Sequence, residues 1–268
     1  MHSCPHRVTQ FVLAGLKPII DMTDPNFGKP STSGVRPWII RLLLIPATCL
    51  TLLSAAQGAT ADAAVVREYI ELEERARFDS LLAEFGRNKN LPLGYELQTL
   101  LALSHYPELK EVRVQFVLDD VSIPLSSRPH WTSMLRSSRK RTYQVIMDTN
   151  LEGPRAALLL KNQPFNAQVG IIGHELAHTV YYLDRSFFGI VSDALCQLNG
   201  CRIDFERNTD RRLIDYGLGW QRYDHARFLR ARFGGSEAAA MNMQGGGGAY
   251  MSPAELLKII DNHPIYAN

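Results

Sequence analysis

The chain is poor in cysteine, nearly balanced in charge, and lacks a long unbroken apolar run. Four cysteines in 268 residues exclude the disulfide-dense scaffold of a small secreted module. Lysine and arginine number 29 against 27 acidic residues, a formal charge of +2, which gives no reason to expect nucleic acid as a partner. The one dense basic cluster, Arg136 to Arg141 with Lys140, is short and reads as a solvated loop. No internal repeat is visible. The length allows one sizeable domain preceded by a leader.

That leader, residues 1–60, reads as a secretory signal. Arg36 and Arg41 precede Leu42-Leu43-Leu44-Ile45, within an apolar core of about 38–56, and small residues follow from Ser54 to Ala63. Pro46 interrupts the core, which is too short for a comfortable membrane span. It lies behind a Pro/Gly/Ser-rich stretch from Pro25 to Pro37, which suggests a later start at Met22 or near Val35. Cleavage after Ala56, Ala61 or Ala63 fits the pattern. An uncleaved signal anchor is the alternative, and only then is a membrane a partner. Either way residues 61–268 are expected to form a single extracytoplasmic domain, periplasmic or secreted. Cys4 and Cys49 fall in the leader, which leaves Cys196 and Cys201 around the turn-forming Asn199-Gly200 pair. A local disulfide is the preferred reading, with thiolate ligation of zinc as its rival.

The most informative stretch is His174-Glu175-Leu176-Ala177-His178, the His-Glu-x-x-His pattern of zinc hydrolases. Residues four apart on a helix share a face, so both imidazoles can reach one ion, with Glu175 beside it to hold a water. Val169, Ile172, Leu176, Val180 and Leu183 form a separate apolar face. Gly170 and Gly173 are poor helix formers, but they would let another backbone pack close. Two histidines and a glutamate can also be ordinary helix residues. Against that, the apolar surround implies burial, which is costly for such groups without a partner.

Around this segment the pattern predicts a helix from about Ala61 to Phe85 and another over Leu97 to Ser104. Strands are expected at Val112 to Val117, Arg141 to Met147 and Ala156 to Leu160. The motif helix should begin after Pro164 with Asn166 as its cap. Helices should follow at Phe187 to Leu195, Ile203 to Tyr216 and Gln221 to Phe233. After the Gly245 to Gly248 break, a last helix should be capped by Ser252 with Pro253 in its first turn. The expected fold is α+β: a small, mostly antiparallel sheet on the zinc-site helix, then a mainly helical C-terminal half.

A catalytic zinc site needs a third protein ligand. Asp184 stands where a sharply ended motif helix would place one, but Tyr181 replaces the glycine such an end requires. Asp193 and His225 have suitable chemistry without a supporting pattern. Glu206 and Asp210 lie four apart on one helix, which suits a ligand and an acceptor for a histidine's outer N–H. The alternative is a solvated face on which Arg207, Arg211 and Arg212 pair with them. His-Glu-x-x-His followed by Glu-x-x-x-Asp resembles the gluzincin metallopeptidases, the clan that includes thermolysin. The resemblance covers about Asn166 to Asp215.

It implies one Zn2+ on His174, His178 and Glu206, with Glu175 as general base and Asp210 behind a histidine. Tyr216, Tyr223 and His225 are the candidate transition-state donors, and strand Thr142 to Asp148 could take an extended peptide along its edge. The expected activity is hydrolysis of peptide bonds in a peptide or protein substrate. The other reading is a catalytically silent, zinc-stabilised binding or assembly protein of the cell envelope.

Overall fold

The computed structural model describes residues 65–121, 123–233 and 249–267. The leader and the Gly245–Gly248 run lie outside the described residues. The described residues belong to one unit, and no helix among them is long and apolar enough to cross a membrane.

Helical turns at Glu71–Glu74 and Arg75–Arg77 lead into α1, Phe78–Phe85. The first strand, β1, is Lys89–Asn90, and α2 is Glu96–Ser104. Strands β2, Arg113–Asp119, β3, Leu125–Pro129, and β4, Thr142–Asp148, follow. The rest is helical: α3, Phe165–Leu183; α4, Phe187–Cys196; α5, Arg202–Asp215; α6, Gly219–Arg232; and α7, Pro253–Asn262. This is an α+β fold.

The sheet is mixed, not mostly antiparallel. Its order is β1-β2-β4-β3; β2 runs parallel to both β1 and β4, and only β3 is antiparallel to β4. The long connection from β2 to β4 supplies the crossover that a parallel pair needs. Two short strands, β1 and β3, carry no alternating pattern and were not legible in the sequence. The expected strand at Ala156–Leu160 is instead 3-10 helix over Gly153–Leu158 and Leu160–Asn162. Gly153, at φ 59°, and Pro154 turn the chain into it.

Three further local expectations fail for identifiable reasons. The first helix begins only at Glu71, because Tyr69 is drawn into the interior. Its amide donates to Asn166 Oδ1 at 3.0 Å and its hydroxyl lies 2.6 Å from His105 Nε2. Asn166 therefore ties segments together and does not cap α3; Pro164 stands at the cap. The basic cluster is not wholly solvated either. Arg141 is buried, its Nε donating to the carbonyls of Met134 and Arg136 and its Nη1 to that of Arg185.

Helix α3 is the centre of the domain, with every residue buried except Phe165 and Tyr181. Burial all round requires neighbours on all sides. Ser127 of β3 meets Thr179 at 2.8 Å on one side, and Tyr106 donates to the Gly173 carbonyl at 2.7 Å. Ile172, Leu176, Leu213 and Ile214 are fully enclosed in the shared core, each worth about 1.5–3 kcal/mol of burial. Helix α5 ends in a Schellman turn: Leu218 N–H bonds the Leu213 carbonyl and Gly217 N–H that of Ile214, with Gly217 at φ 84°. This turn directs α6 straight back across α3.

There the small residues act as the sequence suggests. A Cβ on Gly170 would fall 2.2 Å from the carbonyl oxygen of Gln221 and 2.8 Å from the amide of Arg222. Both are backbone atoms and cannot yield cheaply. At Gly173 the obstacle is only the Leu218 side-chain methyl, at 2.6 Å. Gly170→Ala should therefore lower unfolding free energy by about 1–3 kcal/mol or more and exceed the loss from Gly173→Ala, as read by urea denaturation. Equal or smaller loss at Gly170 would contradict this close approach.

Candidate metal centre

Helix α5 presents Glu206, Thr209, Asp210 and Leu213 as one buried face, at the i, i+3, i+4, i+7 spacing of a helix stripe. Leu213 is fully enclosed in the core and sets the roll of the helix, which turns the two carboxylates inward. Opposite them on α3 stand His174 and His178, one turn apart, their rings edge to face at 4.8 Å.

The two imidazoles share one oxygen. His174 Nε2 lies 3.1 Å from Glu206 Oε2, and His178 Nε2 lies 3.2 Å from the same atom. His174, His178 and Glu206 thus form a buried group close enough to hold one metal ion. Ligands at about 2.0–2.1 Å around a tetrahedral zinc stand about 3.3–3.4 Å apart. The Glu206 oxygen stands at nearly that spacing from each imidazole nitrogen.

The outer nitrogens decide which lone pairs face inward. His174 Nδ1–H donates to Asp210 Oδ1 at 2.9 Å. His178 Nδ1–H donates to Thr209 Oγ1 at 3.1 Å, and the Thr209 hydroxyl donates in turn to the Phe205 carbonyl at 2.9 Å. Both rings therefore keep Nε2 as the ligating nitrogen. Phe205 also stacks on His178, centroids 4.9 Å apart, and fixes its plane.

Asp210 does more than aim one ring. It accepts from Arg222 Nε at 2.7 Å and from the Met251 amide at 3.1 Å. Arg222 is among the most completely buried large side chains, and Asp210 is fully buried with it. Burial alone would raise the Asp210 carboxyl, but Arg222 and His174 hold it well below the usual carboxylate range. Glu206 is depressed in the same way by the two imidazoles. Burial works to lower His174, yet its bonds to Asp210 and Glu206 carry it up to about 9. The carboxylates of Glu206 and Asp210 give this buried cluster the negative charge that a dication would balance.

Glu175 is buried beside this cluster, and burial pushes its carboxyl upward while the imidazoles pull it down. The hydrogen bonds among the described residues reach its backbone carbonyl, through Thr179 at 3.2 Å, and leave its carboxylate free.

The other candidates are engaged elsewhere. Asp193 accepts from Tyr181 and twice from Arg185, and Asp184 closes the C-terminal end of α3. The Tyr216 hydroxyl donates to Glu108 at 2.6 Å. Tyr223 packs against Trp220. His225 Nδ1 lies 2.8 Å from Gln163 Oε1, and its Nε2 is buried without a hydrogen-bond partner among the described residues. None of the hydrogen bonds among the described residues joins Tyr216, Tyr223 or His225 to His174, His178 or Glu206. Cys196 and Cys201 are joined in a disulfide around the turn between α4 and α5, where Gly200 adopts φ 105°; the thiols are thus not ligands.

Sequence reasoning missed three residues. Thr209 accepts the outer N–H of His178, and Arg222 bonds Asp210 behind His174. Tyr250 packs edge-on against His174 at 5.6 Å, with Arg222 over its ring at 5.5 Å. Burial, with Glu206 and Glu175 nearby, pushes its phenol far above the usual range and keeps it a proton donor. It follows the glycine run with no motif to announce it. No family model, curated protein or solved structure matches the chain.

Because Asp210→Ala leaves Arg222 buried without a counter-charge, it should cost about 3–5 kcal/mol of stability. Asp210→Asn, which keeps the shape, should still weaken any binding of a divalent metal ion, zinc being the probe, by about 10–100-fold. Urea denaturation and competition with a chelating dye read these two effects. Unchanged zinc affinity in a folded Asp210→Asn would show that the carboxylate does not orient His174.

Proposed function

We propose that this chain is an extracytoplasmic zinc-dependent metallopeptidase that hydrolyses peptide bonds of a peptide or protein substrate. The observation that carries this reading is the convergence of His174, His178 and Glu206 on one point, with a free carboxylate, Glu175, beside it. A purely structural ion has no use for that carboxylate. The resemblance of the motif pair to the gluzincin clan supports the same assignment. The signal-like leader supports the compartment, and so does the disulfide between Cys196 and Cys201.

Zinc bound by the three ligands would supply a polarised water and a Lewis acid for the scissile carbonyl. Glu175 takes the proton from that water and delivers it to the leaving amine nitrogen. Tyr250, held protonated, donates a hydrogen bond to the oxygen that gains charge as water adds to the carbonyl. Asp210 and Thr209 keep the imidazoles aimed throughout.

An extended substrate would not pair with β4, whose two edges are taken by β2 and β3. The free edge beside α3 belongs to β3, which touches the motif helix through Ser127 and Thr179. Strand addition there would carry a peptide along the site.

One observation favours the second reading, a zinc-stabilised binding or assembly protein without turnover. His174 is fully enclosed, and Glu175, His178 and Glu206 are 5–7% exposed. An enclosed ion can serve stability alone.

Glu175→Gln separates the two. The peptidase reading expects the parent to cleave a peptide mixture, and the variant to lose cleavage while keeping zinc. A parent that holds zinc without turnover supports the silent protein, and a variant as active as the parent removes Glu175 from the mechanism. Tyr250→Phe should lower kcat by about 10²–10³-fold with a smaller change in KM; unchanged kcat would deny the phenol its role.

A further inference from the structure

Between Asp120 and Asp148 the sequence holds no aspartate or glutamate, yet it carries Arg128, Arg136, Arg139, Lys140 and Arg141. Arg141 is buried and serves the fold. The other four are exposed, and no hydrogen bond or ion pair among the described residues engages their side chains. Strand register gathers them at one end of the sheet. β3 ends with Pro129 opposite Tyr143, beside the start of β4, and the segment from His130 to Arg141 joins the two strands. Arg113, exposed at the start of β2, pairs with Thr142 at the same end. The nearby carboxylates do not neutralise the cluster. Glu111 faces Arg87 at 3.4 Å. Asp184, at the end of α3, shares the surroundings of the Tyr143 hydroxyl with Arg139, but a single carboxylate leaves the excess basic.

Two large apolar side chains stand on the same segment: Trp131 is 58% exposed and Leu135 85%. They do not hang from a loose chain. The Ser133 hydroxyl accepts the Thr142 amide at 3.0 Å and donates to the His130 carbonyl at 2.9 Å. Arg141 Nε holds the carbonyls of Met134 and Arg136, and the Tyr143 hydroxyl donates to that of Ser138 at 2.9 Å. A backbone pinned in this way keeps an indole and a leucine in water, at a cost that nothing inside the domain offsets.

We infer that this loop docks the domain on an anionic phospholipid surface, with Trp131 and Leu135 entering the headgroup boundary and Arg128, Arg136, Arg139 and Lys140 meeting lipid phosphates. An indole is amphipathic and settles at that boundary. Long basic side chains lay their stems along the apolar layer and keep their charged heads at the phosphates. Apolar tips joined to unpaired charge of one sign are what a segment lying in a membrane interface needs. A soluble polyanion would use the charges alone and leave Trp131 and Leu135 in water. The docking surface needs no metal and stands independently of the peptidase reading.

The test is fluorescence quenching of the full chain by vesicles that carry brominated acyl chains, made either of phosphatidylcholine alone or of equimolar phosphatidylcholine and phosphatidylglycerol. The difference in emission between the parent and Trp131→Phe isolates Trp131 from Trp38 and Trp220, whether or not the leader also enters the bilayer. The expected result is quenching of Trp131 by the anionic vesicles, little by phosphatidylcholine alone, and loss of the effect in high salt. Combining Arg136→Ser, Arg139→Ser and Lys140→Ser should weaken the interaction about tenfold or more. Absence of quenching by anionic vesicles, equal quenching by both compositions, or full quenching in the folded triple variant would each overturn the assignment. So would binding of heparin, a soluble polyanion, by a chain whose Trp131 no vesicle quenches. The comparison of the two compositions needs no charge variant, so it decides the matter even if the triple variant fails to fold.

Discussion

The fully buried carboxylate of Asp210 is the constraint on which the rest of the structure depends. It receives the outer N–H of His174 from α3, the guanidinium of Arg222 from α6 and the backbone amide of Met251 ahead of α7. Each donor lowers the cost of placing a charge in the interior, and each would itself be stranded without it. One side chain thereby fixes three elements relative to α5. Since Glu206 lies one turn earlier on the same helix, the arrangement that satisfies Asp210 also aims Glu206 at the imidazoles.

Packing and chemistry are consequently hard to separate here. Gly170 admits the backbone of Gln221 and Arg222 against α3, which is what lets Arg222 reach Asp210. The Gly217 turn sends α6 back over α3, and the disulfide closes the turn that leads into α5. These are backbone devices some distance along the chain from the histidines. Their common effect is to hold two helices so that three donor atoms meet without rearrangement, the pre-organisation that a metal site requires.

The site was more legible in the sequence than the sheet. The one-turn spacing of His174 and His178 put both on one helix face, and Glu206 with Asp210 repeats that spacing on a later helix, which is how the structure brings His174, His178 and Glu206 together. The starts of α3 and α7 were readable because Pro164 precedes the one and Ser252-Pro253 opens the other, although the cap of α3 is Pro164 and not Asn166. Strands β1 and β3 were not readable. They are short, lack alternation, and exist only because a neighbour pairs with them. The orientation of β4 depends on a crossover that no local pattern encodes. Tyr250, Arg222 and Thr209 escaped for a related reason: their roles come from who packs against them. Tyr216, Tyr223 and His225 were candidates by position along the chain; the structure adds that Glu108, Trp220 and Gln163 are their neighbours.

The central claim is that His174, His178 and Glu206 together hold one zinc ion, with a coordination position left for solvent. X-ray absorption at the zinc edge of the purified full-length protein tests it most directly. The account predicts one zinc per chain in a four-coordinate nitrogen and oxygen shell at about 2.0–2.1 Å, with an imidazole signature from two rings. Absence of bound zinc, a sulfur ligand at about 2.3 Å, or a shell unaltered by Glu206→Ala would contradict it.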